Sequence, residues 1–250
     1  MKTIGIYSIK GGVGKTAASV NLSYLAARDG LNTLLCDLDP QGAASYYFRV
    51  RANKKYTKKK FLKGGKALDK NIKATDFDNL DILPSDLSYR KLDVSLNSEK
   101  KAKTRIKEIL ESWQEYDIIF LDCPPNITLV SENVFRAADR ILTPCIPTTL
   151  SIMTLGQMIK FFKEKKLPLQ KITAFFSMVE MRKRMHKENI AKIKENKKIY
   201  CFLQSQIPYL AEIEKMGLTR EPVAATSPTS PASQSYTKLW KELKNQLRLL

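Results

Sequence analysis

The feature that most constrains this chain is a glycine-rich segment near its amino end, which runs from Lys10 to Thr16 and reads Lys-Gly-Gly-Val-Gly-Lys-Thr. An apolar run before it predicts a strand at 3–8, and the residues after it predict a helix at 16–29. In such an arrangement the glycines let backbone N–H groups approach an anion, and the helix dipole favours its charge. Lys15 can then reach the β- and γ-phosphates of a nucleotide, and the Thr16 hydroxyl can ligate Mg²⁺. The sequence therefore predicts a nucleoside triphosphate site.

Two aspartates follow apolar runs that predict buried strands. Asp39 comes just after the strand predicted at 33–37, and Asp122 ends the strand predicted at 117–122. In a parallel α/β sheet, carboxylates at the carboxyl ends of strands lie beside the phosphate loop. Asp39 is therefore a candidate to act on water near the γ-phosphate. Asp122 has the form of a Walker B residue, which holds Mg²⁺ directly or through water.

The glycine-rich segment departs from the usual phosphate-loop pattern, because Ile9 stands where the first glycine is expected and a second lysine, Lys10, follows it. Lys-Gly-Gly-x-Gly-Lys-Thr is the deviant Walker A motif, and the chain resembles the ParA/MinD family of ATPases. The sequence Asp-Leu-Asp-Pro-Gln at 37–41 is similar to the ParA branch. No helix-turn-helix domain precedes the phosphate loop, so the chain resembles the short form of that branch.

This resemblance implies ATP and Mg²⁺ as cofactors and a homodimer that encloses ATP, with Lys10 contacting the phosphates held by the partner subunit. It implies catalytic roles for Lys10, Lys15 and Asp39, and a magnesium site at Thr16 and Asp122. The nucleotide-binding residues that it implies are Lys10, Gly11, Gly12, Val13, Gly14, Lys15, Thr16, Ala17 and Pro208.

Strand and helix patterns alternate along the chain, which predicts an α/β fold with a doubly wound, mostly parallel sheet flanked by helices. No second domain boundary is evident, so residues 1–250 are predicted to form a single ATPase domain of the P-loop NTPase type. The predicted strands are 3–8, 33–37, 80–83, 117–122, 140–144, 172–177 and 199–203. The predicted helices are 16–29, 99–114, 127–137, 153–165, 185–195 and 236–247, the last preceded by a loop at 224–235.

Basic residues outnumber acidic ones by 43 to 25, which gives a formal net charge of +18 and a sequence pI near 9.7. Such a field attracts polyanions, with nucleic acid the first candidate and an acidic membrane surface the second. A basic group after the strand at 172–177 resembles, by position, the face on which ParA dimers bind DNA. The DNA-binding candidates are Arg182, Lys192 and Lys194, which Arg220 and Lys241 could join, with Lys197 and Lys198 in the same basic group.

A second basic segment, at about 49–75, departs from the family pattern and interleaves its lysines with Tyr56 and Phe61. Two interpretations stay open. In one, the lysines contact the phosphates of a nucleic acid and the rings stack on its bases. In the other, the segment is a solvated, mobile insertion that binds nothing in particular.

The helix predicted at 236–247 carries an apolar stripe, made by Leu239, Trp240, Leu243 and Leu247, beside basic residues. A basic amphipathic helix anchors MinD-like relatives on membranes. The same spacing is typical of a helix that docks on the domain core, and this second interpretation is favoured.

Composition narrows the remaining function classes. No apolar run approaches 18 residues and no signal peptide precedes the first strand, so the sequence predicts a cytoplasmic protein. Four scattered cysteines without C-x-x-C spacing predict buried free thiols and argue against a zinc site or an iron–sulfur reductase. The single histidine, His186, lies in a basic run and is predicted at the surface, which leaves little room for Ser-His-Asp or metal-hydrolase chemistry.

These observations and the resemblance together predict a ParA-type partition ATPase. It would dimerise on ATP, bind DNA without sequence preference as a nucleoid-associated protein, and hydrolyse ATP when stimulated by a ParB-like adaptor, so as to segregate plasmid or chromosomal DNA. A MinD-like membrane-cycling regulator, a positioning ATPase for a protein cargo, and a biosynthetic ligase or reductase on the same scaffold are the alternatives.

Overall fold

The computed structural model describes residues 1–195 and 201–249, which form one eight-stranded sheet with helices on both faces. The strands are β1 (Lys2–Ile6), β2 (Thr33–Asp37), β3 (Lys73–Ala74), β4 (Leu80–Leu83), β5 (Ile118–Asp122), β6 (Arg140–Cys145), β7 (Ile172–Val179) and β8 (Cys201–Pro208). Their order is β3-β4-β2-β5-β1-β6-β7-β8, and β3 alone runs antiparallel to its neighbour. The predicted fold class is therefore confirmed. Lys197, Lys198 and residues 199–200 of the strand predicted at 199–203 lie outside the described residues.

Twelve helices connect or flank the described strands. They are α1 (Lys15–Arg28), α2 (Ala43–Tyr47), α3 (Lys58–Lys63), α4 (Lys66–Asp69), α5 (Leu92–Asn97), α6 (Arg105–Leu110), α7 (Leu129–Ala137), α8 (Thr149–Glu164), α9 (Arg184–Glu195), α10 (Ala211–Thr219), α11 (Val223–Thr226) and α12 (Pro231–Leu247). Short 3₁₀ turns at Leu87–Lys91 and Leu169–Lys171 complete the connections.

Strand β1 lies in the centre of the sheet, between parallel neighbours β5 and β6. Its Ile4 and Ile6 are fully buried, as a parallel strand covered on both faces requires. From β1 the chain passes through α1 to β2, on the far side of β5, whereas β6 lies on the opposite side of β1. The carboxyl end of β1 is therefore the point where the strand order diverges, which is the usual place of a ligand crevice in open α/β sheets.

The C-terminal helix α12 docks on the face of the sheet that also carries α1. Its apolar stripe is buried in the same core cluster as Phe175 of β7 and Leu203 of β8. Trp240 Nε1 donates a hydrogen bond to Asp29 Oδ2 at 2.9 Å, just beyond the end of α1. The Glu242 carboxylate accepts from two backbone N–H groups of β8, at 2.7 and 2.8 Å. The docking prediction is therefore confirmed. No helix within residues 1–195 or 201–249 is both long and apolar enough to cross a membrane.

The basic segment at 49–75 is folded against the core by the rings between its lysines. Tyr56 and Phe61 are only 1% and 2% exposed, and both rings contact Tyr89. These rings are not available to stack on bases, so that part of the nucleic-acid interpretation is wrong. Short helices α3 and α4 form part of the segment. The interpretation of the segment as a solvated, mobile insertion that binds nothing in particular stays a prediction.

His186 is only 2% exposed, so its predicted surface position is wrong. Its place in α9 explains the burial, because Ile190 and Ile193 follow it at spacings of four and seven residues and share its apolar face. Its Nδ1 accepts a hydrogen bond from the backbone N–H of Glu180 at 3.1 Å. The cysteine prediction holds for Cys36, Cys123 and Cys145, which are buried free thiols.

Three helices differ in extent from their predictions by four residues or more. Helix α8 begins at Thr149, four residues before its predicted start. The helix predicted at 99–114 is reduced to α6, since residues 100–104 form turns. Helix α12 begins five residues earlier than predicted, because Ser230 Oγ accepts a hydrogen bond from Ser233 N at 3.1 Å and proline suits the first helical position. The loop predicted at 224–235 therefore contains most of α11 and the start of α12.

Candidate nucleotide site

The glycine-rich segment forms the turn between β1 and α1 that its sequence predicts. Gly12 and Gly14 have φ angles of 67° and 89°, in the left-handed region that side chains disfavour. A Cβ atom at Gly14 would also lie 3.0 Å from the Ser177 hydroxyl, so the close approach of β7 requires glycine there. The backbone thus enters α1 with its first N–H groups directed toward the carboxyl edge of the sheet, as an anion-binding turn requires.

Lys15, the first residue of α1, is 7% exposed and lies within this turn. Its Nζ donates a hydrogen bond to the backbone oxygen of Lys10 at 3.2 Å. Burial lowers the pKa of the Lys15 ammonium, while the nearby carboxylates of Asp122 and Asp39 act in the opposite direction. The structure therefore brings Lys15, Asp39 and Asp122 close enough for their charges to interact.

Asp122 ends β5 and is fully buried beside the start of α1. Its Oδ1 accepts a hydrogen bond from Ser19 Oγ at 2.9 Å. Its Oδ2 is buried and has no hydrogen-bond partner in the described part of the chain. Burial raises the pKa of the carboxyl, and the hydroxyls of Ser19 and Thr16 lower it. A buried carboxylate oxygen with a free lone pair, beside a threonine hydroxyl, fits Mg²⁺, which binds hard oxygen ligands and uses few carboxylates when phosphates complete its coordination.

Asp37 is a buried residue beside the site, and its sequence context predicts no role for it. It lies opposite Asp122 in the register of β2 and β5. Its Oδ2 accepts from Ser45 Oγ at 2.6 Å and from Ser45 N at 2.8 Å, and its Oδ1 accepts from Asp39 N at 3.2 Å. Burial and the neighbouring Asp122 raise the pKa of the Asp37 carboxyl. Asp37 therefore anchors the backbone that presents Asp39.

Asp39 is half-buried and lies in the turn that Asp37 anchors. Its Oδ1 accepts from Gln41 N at 2.9 Å, and its backbone oxygen accepts from Ser85 Oγ at 2.5 Å. Ser85 N in turn donates to Ser45 Oγ at 3.0 Å. Hydrogen bonds from two neighbouring segments thus fix the turn, so the position of the Asp39 carboxylate is set by the fold.

The predicted nucleotide residues Gly14, Ala17 and Pro208 line one cleft between the start of α1 and the end of β8. Tyr236 of α12 and Met178 at the end of β7 complete its walls, and its volume is about 40 Å³. The cleft is continuous with the phosphate turn through Gly14 and has mainly apolar walls. Gly14, Ala17 and Pro208 are therefore brought together beside the phosphate turn, and their contact with a nucleotide stays a prediction.

Lys10 is half-buried, and its ammonium group makes no hydrogen bond or ion pair with any described residue. This sets it apart from Lys15, whose ammonium group is directed into its own turn. An unpaired lysine at the rim of a phosphate turn is free to meet an anion from outside the protomer.

The predicted DNA-binding residues lie on both faces of the sheet, on either side of the edge strand β8. Ile190 and Ile193 hold α9 against Phe176, whereas α12 packs in the cluster that contains Phe175. Neighbouring residues of a strand point to opposite faces, so α9 and α12 cover opposite faces. Arg182, Lys192, Lys194 and Lys241 are exposed.

Arg220 is half-buried, on the α12 face of the sheet. Its guanidinium group lies 4.4 Å from the centre of the Tyr46 ring, and its Nε donates to Tyr46 O at 2.9 Å. Arg220 and Lys241 therefore lie on the opposite face of the sheet from the α9 residues, and their joining in one DNA-binding surface stays a prediction.

The fold and the site together define a P-loop nucleotide-binding protein: a central parallel sheet, a glycine-dependent turn at its divergence point, a buried lysine, and a Walker B aspartate with a free oxygen. Comparison with known proteins agrees with this class. A family model described as an AAA domain matches residues 1–175 of the chain.

Among curated relatives, the sporulation initiation inhibitor protein Soj of Bacillus subtilis is 28% identical over 250 residues, which cover 97% of this chain and 98% of that protein. A Borrelia burgdorferi structure described as a plasmid partition protein, bound to AMPPNP, has a TM-score of 0.83 at 21% identity, covering 98% of this chain and 99% of that one. Cobyrinic acid a,c-diamide synthase of Mycobacterium smegmatis, with bound ADP and magnesium, has a TM-score of 0.81 at 18% identity, covering 100% and 96%.

The chain belongs to the matched AAA-domain family and to the ParA/MinD family of P-loop ATPases. The resemblance stated from the deviant Walker A motif is thereby confirmed. The solved structures, at their low identity, show that the same fold serves partition proteins and biosynthetic enzymes alike.

Proposed function

We propose that the protein is a ParA-type partition ATPase that binds MgATP at the turn between β1 and α1. The observation that carries this proposal is the buried, unpartnered Oδ2 of Asp122, which lies beside the phosphate turn and close to Lys15. A buried carboxylate oxygen without a partner is costly unless a cation or a proton satisfies it. Thr16 and Asp122 would hold Mg²⁺, which would neutralise part of the negative charge on the phosphates.

The remaining roles in binding and hydrolysis belong to the protein's own side chains and backbone groups. Lys15 and the turn's backbone N–H groups bind and orient the phosphates, and the walls around Pro208 exclude water from the base. Asp39 orients or activates the attacking water. Hydrolysis of this kind depends on positioning and electrostatics, and its slow turnover suits a switch.

We further propose that ATP joins two protomers face to face. The unpaired ammonium of Lys10 supports this, because a lysine with no partner in its own protomer is available to the phosphates held by another. A nucleotide shared between two protomers makes the dimer dependent on ATP. Hydrolysis would then return the protomers to solution.

The dimer would bind DNA without sequence preference through Arg182, Lys192, Lys194, Arg220 and Lys241. A ParB-like adaptor would stimulate hydrolysis and release the complex from the nucleoid. The similarity to Soj along almost the whole chain supports this function. The burial of the α12 stripe favours DNA over a MinD-like membrane anchor, because the residues that would insert into lipid are in the core.

Binding to duplex DNA with ATP, ADP or no nucleotide tests the switch. If ATP adds about four phosphate contacts, the increment in affinity that ATP produces should fall roughly a hundredfold between about 50 and 200 mM salt. Replacement of Lys192 and Lys194 by glutamine should remove much of the increment that ATP produces. Equal binding in the three nucleotide states would refute the switch. An ATP hydrolysis rate that DNA does not change but a small carboxylic acid increases would instead favour a biosynthetic ligase.

A further inference from the structure

The charge of this protein is concentrated in one segment. Residues 49–75 contain eleven basic residues and one acidic residue, Asp69. Their net charge of +10 is more than half of the formal net charge of +18. The proposed ATP site and the DNA-binding candidates use none of these residues.

The segment is held rigidly by its own apolar residues. Leu62 and Leu68 are buried with Tyr56 and Phe61, and the Tyr56 and Tyr89 hydroxyls form a hydrogen bond. Arg105 of α6 adds a clamp: its Nε donates to Leu62 O at 2.7 Å, and its Nη2 donates to the next carbonyl at 2.8 Å. These contacts therefore set the backbone positions from which the lysines of α3 and α4 project.

Three of these lysines line one open groove of about 470 Å³, with two asparagines in its wall. The lining residues are Asn53, Lys60, Lys66, Ala67, Lys70 and Asn71. Within the described chain, none of the three lysines forms an ion pair. The single acidic residue of the segment is engaged elsewhere, since Asp69 Oδ1 accepts from Trp113 Nε1 at 2.9 Å.

Unpaired ammonium groups around one groove repel each other, so an anion with several charges is the ligand that this arrangement favours. We propose that the groove formed by Lys60, Lys66 and Lys70, here called the lysine groove, binds backbone phosphates of duplex DNA without requiring ATP. All three lysines belong to one protomer, and their anchors lie in its core. The groove therefore needs neither a second protomer nor a bound nucleotide to form.

The same residues argue against other polyanions. The large exposed apolar side chains of the described structure lie outside 49–75, so the segment offers nothing to insert into a membrane. It likewise lacks an exposed aromatic or aliphatic anchor of the kind that forms the centre of a protein interface. The buried rings exclude base stacking. Charge alone is left, which suits contacts with phosphates.

The lysine groove belongs to a segment that leads to the opposite edge of the sheet from the DNA-binding candidates on α9. Residues 49–75 end in β3, at one edge of the sheet, whereas α9 packs on β7 and β8, at the other edge. Eight strands at a spacing of about 4.8 Å place these edges about 34 Å apart. The proposal rests on the proposed function only in its choice of DNA as the polyanion. It adds a second site, which stays bound to DNA when the ATP-dependent surface dissociates.

Fluorescence anisotropy of a labelled duplex, measured without nucleotide over a range of salt, tests the proposal. Lys60→Gln, Lys66→Gln and Lys70→Gln together should lower the slope of log affinity against log salt by about 2.7, since each phosphate contact contributes about 0.9. This corresponds to loss of a roughly fortyfold change in affinity between about 50 and 200 mM salt. Thermal melting and ATP binding of the variant should match the wild type.

A matched control replaces Lys160, Lys163 and Lys166, three exposed lysines at the end of α8 and just beyond it, by glutamine. It removes the same charge from another place. A loss of slope equal to that of the groove variant would overturn the proposal, because net charge alone would then explain binding. Binding to anionic phospholipid vesicles that depends on the groove, with no binding to DNA, would also overturn it.

DNA binding measured with and without ATP tests the two proposals separately. In the groove variant, binding without nucleotide should fall while the increment produced by ATP persists. If ATP adds nothing in any variant, the proposed switch fails and the groove is judged on the nucleotide-free slope alone. If the groove variant retains the wild-type slope without nucleotide, the groove proposal fails and the switch is untouched.

Discussion

Replacing Asp39 by asparagine should separate hydrolysis from nucleotide binding. Among the described residues, the Asp39 side chain makes one hydrogen bond, in which Oδ1 accepts from Gln41 N at 2.9 Å, and an asparagine Oδ1 can accept the same bond. The turn itself is held through the backbone oxygen of Asp39, which accepts from Gly42 N at 2.9 Å and Ser85 Oγ at 2.5 Å. The substitution therefore removes one negative charge and keeps the turn.

The expected magnitudes differ widely between stability, binding and chemistry. The free energy of unfolding should change by no more than about 0.5 kcal/mol, because no buried contact is lost. ATP affinity should be kept or rise, because a negative charge beside a polyanion's site is removed. Loss of the carboxylate that orients water should raise the chemical barrier by about 2.7 kcal/mol, which slows hydrolysis about a hundredfold.

Single-turnover ATP hydrolysis, with nucleotide binding measured in parallel, gives both quantities. Asp78→Asn is the matched control, because Asp78 is an exposed carboxylate on another loop. It should hydrolyse ATP at the wild-type rate. A wild-type rate for Asp39→Asn, or loss of its ATP binding, would show that Asp39 serves the structure or the magnesium site instead.

Four other substitutions probe three separate parts of the molecule. Lys15→Ala should weaken ATP binding itself, whereas Lys10→Ala should bind ATP yet fail to dimerise with it; normal ATP-dependent dimerisation of Lys10→Ala by light scattering would contradict the partner contact. Burial lowers the pKa of His186, and Lys183 acts in the same direction. The stability that the neutral ring contributes is therefore present above about pH 6.5 and is lost as the pH falls below that value. His186→Gln should flatten the wild-type decline in urea midpoint over that range, and parallel pH profiles would refute the assignment. Trp240→Phe removes the hydrogen bond to Asp29 and should cost about 1 kcal/mol, or about 2–4 °C in melting temperature for a chain of this size; an unchanged melting curve would show that the bond contributes nothing.

The phosphate turn could be predicted from the sequence because its requirements are local. Gly12 and Gly14 adopt backbone angles that few other residues tolerate, and Lys15 and Thr16 follow at fixed positions on the first turn of a helix. The strands were recognisable for a similar reason, since parallel strands buried on both faces are continuous apolar runs.

The features of the site that could not be predicted from the sequence depend on contacts between segments that are distant along the chain. Asp37 acquires its role from Asp122 across β2 and β5, and from Ser45 on the next helix. No spacing along the chain encodes that pairing. The recognisable signal was weak: an aspartate that closes a buried strand, with a second aspartate two residues later.

The burial of the two rings in the basic segment could not be predicted from the sequence, because lysines surround them. Such a pattern favours a binding surface, whereas Tyr56 and Phe61 are buried and hold the segment on the core. Lys241 lies on the opposite face of the sheet from the α9 lysines, a placement that the sequence does not show. Which face of a sheet a helix covers is set by the direction of the crossover, and residue type carries no information about it.

The packing of α12 on α1 has a consequence for synthesis of the chain on the ribosome. Helix α1 ends at Arg28, yet α12, which helps cover Leu22 and Leu25, begins only at Pro231. At about 5–20 residues per second, roughly 10–40 seconds pass between the emergence of the two helices. During that interval the helix that carries the phosphate turn keeps part of its apolar face uncovered. The nascent protein is therefore a candidate for chaperone binding until its last helix is made.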